Sequence, residues 1–306
     1  MIYTVTFNPA IDYVMHLGEM VPGEVNRSVG EEIFFGGKGI NVSTVLNTLG
    51  EESVALGFIA GFTGDAIENG LREKGITTDF IRLRKGATRI NVKIKAKAET
   101  ELNGQGPDIG SEAIDELFAK LDKLVRGDYL VLAGSIPDSI PDDVYERIME
   151  HLDGRGINIV VDATKNLLLN VLPYKPFLVK PNNHELGEMF GKKLTTVDEI
   201  IEHARKLREM GARNVLVSMA GEGAILVSET GEVLHVEAPK GKVVNSVGAG
   251  DSMVAGFILG YIRSGNYSEA LKLGTACGSA TAFLPGLAEK ELIERLFYSP
   301  IDIFRI

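Results

Sequence analysis

A glycine-rich turn followed by an acidic residue is the segment of this sequence best suited to chemistry. Gly248-Ala249-Gly250-Asp251 leads directly into an apolar run of helix length. The backbone N–H groups of such a turn, together with the N-terminus of the following helix, form an anion site that needs no side-chain cation. A carboxylate beside that site can remove a proton from an attacking hydroxyl group. The alternative for Asp251 is a favourable interaction with the helix dipole alone.

Several motifs that would indicate other chemistry are absent. No lysine is followed by serine or threonine, which excludes the phosphate loop G-x-x-x-x-G-K-[ST]. The nearest match to the dinucleotide fingerprint begins at Gly248 and has Met253 where the third glycine belongs, so a dinucleotide oxidoreductase is disfavoured. The five histidines form no H-E-x-x-H motif, and the single Cys277 cannot supply a cysteine cluster for zinc. The absence of G-x-S-x-G weakens a serine hydrolase.

The composition indicates a soluble globular protein. The 306 residues, 44% of them hydrophobic, leave room for one large α/β domain, and no apolar run approaches the length of about 20 residues that spans a membrane. Asp and Glu number 42 against 32 for Lys and Arg, and the resulting net charge of −10 disfavours polymeric nucleic acid as a partner. The lone cysteine and the lack of a secretory signal predict a cytoplasmic protein with no membrane partner.

Short apolar strands alternate with amphipathic helices from about residue 111 onward. This order builds a parallel sheet that is covered by helices on both faces. Ligand sites in such sheets lie at the carboxyl ends of the strands. A capping box at Thr196–Glu199 opens one of the helices. The strands are predicted at Tyr129–Ala133, Ile157–Asp162, Phe177–Val179 and Asn214–Ser218.

The N-terminal third contains a different kind of strand. Residues 88–97 alternate strictly, with apolar side chains from Ile90 to Ala96 on one face and polar side chains from Asn91 to Lys97 on the other. This pattern predicts a strand with one face in water. A second extended stretch at 25–35 could pair with it. The two would form a small inserted sheet that serves as a lid or as a dimer surface.

Two segments together resemble the signatures of the PfkB, or ribokinase-like, carbohydrate kinase family. The segment around Asp251 is similar to the C-terminal signature, and Gly36-Gly37-Lys38-Gly39-Ile40-Asn41 to the N-terminal one. The two occur in the family order, which makes the pair more specific than either one. Further similar segments fall in the same order at 8–12, 88–92, 102–107, 133–137, 180–185 and 218–223.

The resemblance implies a fold and an activity. The fold is a three-layer α/β/α ribokinase-like domain over residues 1–306, with a mainly parallel central sheet and a small inserted β-sheet lid formed by segments of approximately 12–35 and 86–104. The lid often forms a homodimer clasp in this family. The implied activity is ATP- and Mg²⁺-dependent phosphorylation of a small-molecule sugar phosphate, with Asp251 as the general base and Gly248, Ala249 and Gly250 stabilising charge on the transferring phosphoryl group.

Other site residues follow from the resemblance position by position. Asn182 and Glu185 would hold Mg²⁺ mainly through water, with a helix cap as the alternative. Arg89, together with Lys38, is the candidate for the phosphate already on the substrate, and a solvated lid position is the alternative for Arg89. The implied sugar-binding residues are Asp12, Gly36, Gly37, Lys38, Asn41, Arg89 and Asn103. The implied nucleotide-binding residues are Lys180, Ser218, Met219, Ala220, Gly221, Glu222, Gly223, Gly250 and Asp251, and an ordinary glycine turn is the alternative for 218–223.

The substrate that fits the resemblance best is fructose 1-phosphate, phosphorylated at its 6-hydroxyl to give fructose 1,6-bisphosphate and ADP. Tagatose 6-phosphate and fructose 6-phosphate remain open, because the furanose form of fructose has primary hydroxyls at both C1 and C6. A non-catalytic sensor of sugar phosphates would be expected to have lost the base or the glycine turn, and this sequence has both.

Overall fold

The computed structural model describes residues 1–306 and contains fifteen strands and ten α-helices. The strands are β1 Ile2–Thr6, β2 Ala10–His16, β3 Gly30–Gly36, β4 Ser53–Ile59, β5 Thr77–Thr78, β6 Ile81–Arg82, β7 Arg89–Lys95, β8 Glu99–Asn103, β9 Tyr129–Ala133, β10 Asn158–Asp162, β11 Leu178–Val179, β12 Asn214–Ser218, β13 Ala224–Val227, β14 Val233–Val236 and β15 Ile303–Arg305. The helices are α1 Lys38–Thr48, α2 Gly61–Glu73, α3 Ser111–Leu121, α4 Val144–His151, α5 Lys165–Val171, α6 Asn183–Met189, α7 Val197–Glu209, α8 Ala249–Ser264, α9 Tyr267–Ala282 and α10 Lys290–Phe297.

The large sheet is mainly parallel, as predicted. Its strand order is β15-β14-β13-β12-β11-β10-β9-β1-β4-β5, with β6 paired to β4. All pairs from β12 to β5 are parallel, whereas β13, β14 and β15 add an antiparallel edge. Two predicted strands begin one residue later than expected, at Asn158 and Leu178. None of the helices combines the length and the apolar character needed to span a membrane.

The core contains two large apolar clusters, one on each face of this sheet, and a smaller third cluster where α2 packs against β4 and the small sheet. Successive residues of β9 alternate between the two large clusters, since Leu130 and Leu132 belong to one cluster and Val131 to the other. Helices α3 to α7 cover the first face, and α1, α8, α9 and α10 cover the second. The result is the predicted three-layer α/β/α arrangement. Cys277 is fully buried within the second cluster, where packing accounts for it.

A separate four-stranded sheet has the order β3-β2-β7-β8. The sequence correctly predicted β7, but it missed β2 and predicted the wrong partner for β3. Strand β2 lies between them and pairs antiparallel with β3 and parallel with β7. β3 also begins at Gly30 rather than at 25. Strand β2 lacks a clean polar-apolar alternation because it has apolar residues on both faces, namely Ile11 and Val14.

The first half of the predicted wet face of β7, at residues 89, 91 and 93, lines a cavity in the structure. Asn91 is buried and the Lys93 side chain is only 13% exposed, whereas Ile90 on the opposite face is 39% exposed. The polar side chains of this strand turn toward a cavity, and its apolar side chains turn partly outward. Alternation therefore located the strand correctly, and it assigned the faces correctly at Ile94, Lys95 and Lys97 but not at Ile90, Asn91 and Lys93.

Candidate active site

A cavity of about 900 Å³ lies between the carboxyl ends of the central strands and the small sheet. It collects most of the residues that the sequence singled out. Those that line it are Asp12, Gly37, Lys38, Asn41, Arg89, Asn103, Lys180, Asn182, Glu185, Ser218, Ala220, Gly221, Gly223, Gly248, Ala249, Gly250 and Asp251. Three predicted residues do not line it, namely Gly36, Met219 and Glu222.

Asp251 lies in the first turn of α8, where the glycine-rich turn was expected to place it. The turn requires glycine at position 248, because φ is +81° there and an added Cβ would lie 2.7 Å from Leu287 Cδ2. The Asp251 carboxylate is buried, and its Oδ2 accepts a hydrogen bond of 2.8 Å from Asn41 Nδ2. Burial, together with the negative charge of Asp162, raises the pKa of Asp251 to about 6.

A charged cluster formed by Asp162, Lys38 and Lys180 lies beside Asp251. Asp162 ends β10 and is fully buried, and its Oδ1 lies 3.3 Å from Lys38 Nζ and 3.5 Å from Lys180 Nζ. Burial opposes ionisation of this carboxyl, but the two ammonium groups hold the pKa of Asp162 below its ordinary value. The sequence did not nominate Asp162, although an acidic residue at the end of a buried strand was a usable signal.

Asn182 and Glu185 form the cap of helix α6. Asn182 Oδ1 accepts a hydrogen bond of 2.8 Å from the Glu185 backbone N–H, and Glu185 Oε2 accepts one of 2.9 Å from the Asn182 backbone N–H. This is a complete capping box. The alternative that the sequence left open, a helix cap, is therefore present, and both residues also line the cavity. Their role toward Mg²⁺ stays a prediction.

The small sheet supplies the opposite side of the cavity. Asp12 Oδ1 accepts a hydrogen bond of 2.9 Å from Asn91 Nδ2, and Asp12 Oδ2 lies 3.7 Å from Lys93 Nζ. Arg89 on the same strand is half-buried, its Nε has no hydrogen-bond partner, and burial lowers its pKa despite the nearby Asp12. Sequence reasoning missed Asn91 and Lys93, because it assigned them to a solvated face.

The loop 218–223 follows β12 at the cavity. Met219 is buried in the core and does not line the cavity. Gly223 has a φ of +91°, and an added Cβ would lie 1.8 Å from the Val236 carbonyl oxygen. The turn therefore has a structural requirement for glycine besides any contact with a nucleotide.

The arrangement brings a carboxylate, two ammonium groups and a helix N-terminus to one end of the cavity. A hydroxyl group that approaches Asp251 would meet a base, and an anion beside the turn would meet backbone N–H groups and nearby lysines. These are the groups that phosphoryl transfer to an alcohol requires, because that reaction depends mainly on positioning and on charge stabilisation.

The chain is similar to known proteins over nearly its whole length. The family model for pfkB family carbohydrate kinases matches residues 5–293. The 1-phosphofructokinase of Bacillus subtilis is 48% identical over 296 residues, which cover 97% of each chain. The D-tagatose-1-phosphate kinase of Bacillus licheniformis is 38% identical and covers 96% of this chain and 97% of its own.

Solved structures agree with the sequence comparisons. The crystal structure of phosphofructokinase-2 from Escherichia coli in complex with fructose-6-phosphate matches with a TM-score of 0.90 and 25% identity, and the match covers 97% of each chain. The expected fold and the resemblance of the two signatures are thereby confirmed. The chain belongs to the pfkB family of carbohydrate kinases.

Proposed function

We propose that this protein transfers the γ-phosphoryl group of ATP to the 6-hydroxyl of fructose 1-phosphate, giving fructose 1,6-bisphosphate and ADP. The proposal rests on the position of Asp251, which is buried at a helix N-terminus beside Lys38 and Lys180. The relatives that are named 1-phosphofructokinase support the choice of substrate.

Asp251 acts as the general base. Its carboxylate accepts the proton of the attacking hydroxyl, and Asn41 fixes the orientation of the carboxylate through its amide. The backbone of Gly248, Ala249 and Gly250 stabilises the charge that develops on the transferring group. Lys38 and Lys180 both form ion pairs with Asp162, which keeps the two ammonium groups near each other. They add positive charge at the same end of the cavity as Asp251.

Mg²⁺ fits the donors at the start of α6. Asn182 and Glu185 supply an amide oxygen and a carboxylate at the cavity, and Mg²⁺ prefers oxygen ligands and retains several of its waters. When bound there with ATP, the ion would neutralise charge on the phosphates. The turn at Ser218, Ala220, Gly221 and Gly223 is the proposed contact of the nucleotide, with its glycines allowing close approach.

The sugar phosphate is proposed to lie against the small sheet. Asp12 and Asn103 line that side and suit sugar hydroxyls, and Arg89 suits the phosphate already present. Segments of approximately 12–35 and 86–104 would act as a lid on the single domain and exclude water during transfer. Since ATP and sugar phosphates are cytoplasmic metabolites, we propose that the enzyme works there.

Sugars of the same class are the second candidates. A relative named D-tagatose-1-phosphate kinase is 38% identical, and a similar solved structure is a phosphofructokinase-2 in complex with fructose-6-phosphate. A tagatose phosphate and fructose 6-phosphate are therefore the alternative acceptors. A non-catalytic sensor is disfavoured because both Asp251 and its glycine turn are intact and face one cavity.

The deciding experiment is sugar-dependent ADP release in a coupled assay. Purified protein with Mg-ATP is offered fructose 1-phosphate, fructose 6-phosphate, tagatose 1-phosphate and tagatose 6-phosphate separately, and the acceptors are ranked by kcat/KM. We expect fructose 1-phosphate to rank first. Asp251→Asn should lower kcat by several orders of magnitude while ATP binding, measured by calorimetry, is retained. A different preferred sugar would overturn the substrate, and unchanged turnover in Asp251→Asn would overturn the mechanism.

The small sheet is also the proposed surface of a homodimer. Ile33 and Leu102 on its outer face are 57% and 56% exposed. Exposed apolar side chains on one face of a sheet are typical of a protein–protein contact. A second copy of the same sheet could supply one.

A further inference from the structure

Lys93 is a lysine turned inward, at a position where it faces the proposed sugar. Side chains of a strand alternate between the two faces, and residues 89, 91 and 93 of β7 share the face that lines the cavity. The Lys93 side chain is only 13% exposed. A lysine side chain is rarely buried to that extent unless its charge is paired.

The ammonium group of Lys93 has an ion-pair partner but no acceptor within hydrogen-bond distance. Its Nζ lies 3.7 Å from Asp12 Oδ2, which is an ion pair but is longer than a hydrogen bond. Glu101 is the register neighbour of Lys93 on β8, yet it is exposed and forms no ion pair with Lys93. The three donors of the ammonium group therefore retain capacity for another acceptor.

The two carboxylate oxygens of Asp12 have different partners. Asn91 fixes Oδ1 through a hydrogen bond of 2.9 Å, so the carboxylate cannot simply rotate away. Oδ2 faces Lys93 and is the oxygen left for a sugar hydroxyl. While Lys93 remains near Oδ2, the hydroxyl and the ammonium group compete for the same acceptor.

We propose that Lys93 selects phosphorylated sugars: it neutralises Asp12 in the absence of substrate, and the phosphate of the substrate draws it away so that Asp12 can accept a sugar hydroxyl. This inference rests on the proposed function and adds a specificity residue to it. Arg89, four residues earlier on the same face, has an unpartnered Nε and can share the phosphate with Lys93.

The exchange is favourable for physical reasons. A phosphate monoester has a charge of about −1.5 to −2 and three strong acceptor oxygens, so it attracts an ammonium group more strongly than one carboxylate does. Lysine has a flexible four-carbon stem and can change partner by rotamer changes. An unphosphorylated sugar offers no anion, so Lys93 remains on Asp12 and opposes its binding.

Kinetics of Lys93→Met test the proposal with fructose 1-phosphate and with fructose. We expect kcat/KM for fructose 1-phosphate to fall about 10- to 100-fold, as is typical for loss of a charged hydrogen bond, while kcat/KM for fructose does not fall. The KM for ATP should not change. Lys93→Arg should restore most of the preference. Lys95→Met is the matched control, because Lys95 shares the strand but pairs with Glu99 outside the cavity. It should behave as the parent does.

Equal losses for both sugars in Lys93→Met would overturn the proposal, since they would make Lys93 a structural partner of Asp12 only. Calorimetric binding of fructose 1-phosphate and fructose without ATP separates this result from failure of the proposed function. If the parent binds the phosphorylated sugar preferentially and Lys93→Met loses that preference, the inference stands even without phosphoryl transfer. If the two proteins show the same preference in binding, it is wrong. A thermal melt of each variant confirms folding.

Discussion

Asp251 and Asp162 are two buried carboxyl groups at the same end of one cavity, and their pKa values are shifted in opposite directions. Asp162 faces two lysines, and these hold its pKa below the ordinary value despite burial. Burial and the charge of Asp162 raise the pKa of Asp251 to about 6. A base is most effective when its pKa lies near the working pH, so the raised pKa suits Asp251 for proton transfer. The lowered pKa keeps Asp162 ionised, which suits it for positioning the two lysines.

Turnover should depend on pH through the ionisation of Asp251. Asp251 accepts a proton only when it is ionised, so kcat should fall as pH drops below about 6. Asp162→Asn removes a negative charge that raises the pKa of Asp251, so the acidic limb of the kcat profile should move to lower pH. Initial rates between pH 5 and 8, at saturating substrates, measure this.

In Asp162→Asn the pH at which kcat falls is compared with the parent, rather than the size of kcat. The size of kcat is not compared because loss of a partner for Lys38 and Lys180 should also lower the maximal rate. Removing one member of a buried ion pair typically destabilises a protein by about 3–5 kcal/mol, so a thermal melt must first show that the variant is folded at the assay temperature. A limb that stays in place or moves to higher pH would contradict the electrostatic link between the two carboxyl groups.

Residues with a local signature could be predicted from sequence, and residues placed by packing could not. Asp251 was found because a glycine turn and a helix start are encoded in adjacent positions. Lys93 lacked such a signal, and the only signal for Asp162 was its position at the end of a buried strand. Each becomes a cavity residue only when the sheets assemble, and Lys93 in particular belongs to an alternating strand whose polar face normally meets water.

At the scale of elements, two helices begin with the same motif in different surroundings. Asn182–Glu185 caps α6 and Thr196–Glu199 caps α7, and both capping boxes are complete. Only the first one lines the cavity. The local sequence specifies the cap in each case, so the proposed metal role of Glu185 depends on where the fold places α6.

The paired boxes give a matched experiment. Glutamine preserves a capping box, so Glu185→Gln and Glu199→Gln should both change the free energy of unfolding by less than about 1 kcal/mol. If Glu185 holds Mg²⁺ through water, Glu185→Gln alone should raise the Mg²⁺ concentration that gives half-maximal rate, by about tenfold, as expected when a group that orients metal-bound water is lost. Titration of the initial rate with MgCl₂ at fixed ATP measures this. Identical Mg²⁺ curves for the two variants would restrict Glu185 to capping.

The elements of the large sheet were predicted better than those of the small one for a physical reason. Strands such as β9 and β12 are buried on both faces and form continuous apolar runs, which stand out from the helices around them. β2 has partly covered residues on both faces, and its neighbours in space come from distant parts of the chain. Pairing of β3 with β2 rather than with β7 could not be deduced from the pattern of either strand.

At the scale of the whole molecule, the small sheet is a layer with one face left partly uncovered. Its inner face contributes to the cavity, whereas a row across its outer face runs through Ile33, Tyr13, Val92 and Leu102 on four neighbouring strands. Isolated sheets need a second layer against their apolar face. In a homodimer the two copies would cover each other, and the geometry of each sugar site would then depend on assembly.

Ile33→Asp tests this assembly. The substitution places a carboxylate on the outer face, and burying it between two sheets would be strongly unfavourable, so we expect a monomer where the parent is a dimer. Val125→Asp is the matched control, because Val125 is 64% exposed but lies on the loop before β9, away from the small sheet. Light scattering coupled to size-exclusion chromatography, at equal protein concentrations, distinguishes the states. Because the same sheet positions Asp12 and Arg89, the monomer should also show a higher KM for the sugar phosphate with little change in the KM for ATP. A monomeric parent, or a variant that remains dimeric, would show that the outer face is not the contact between copies.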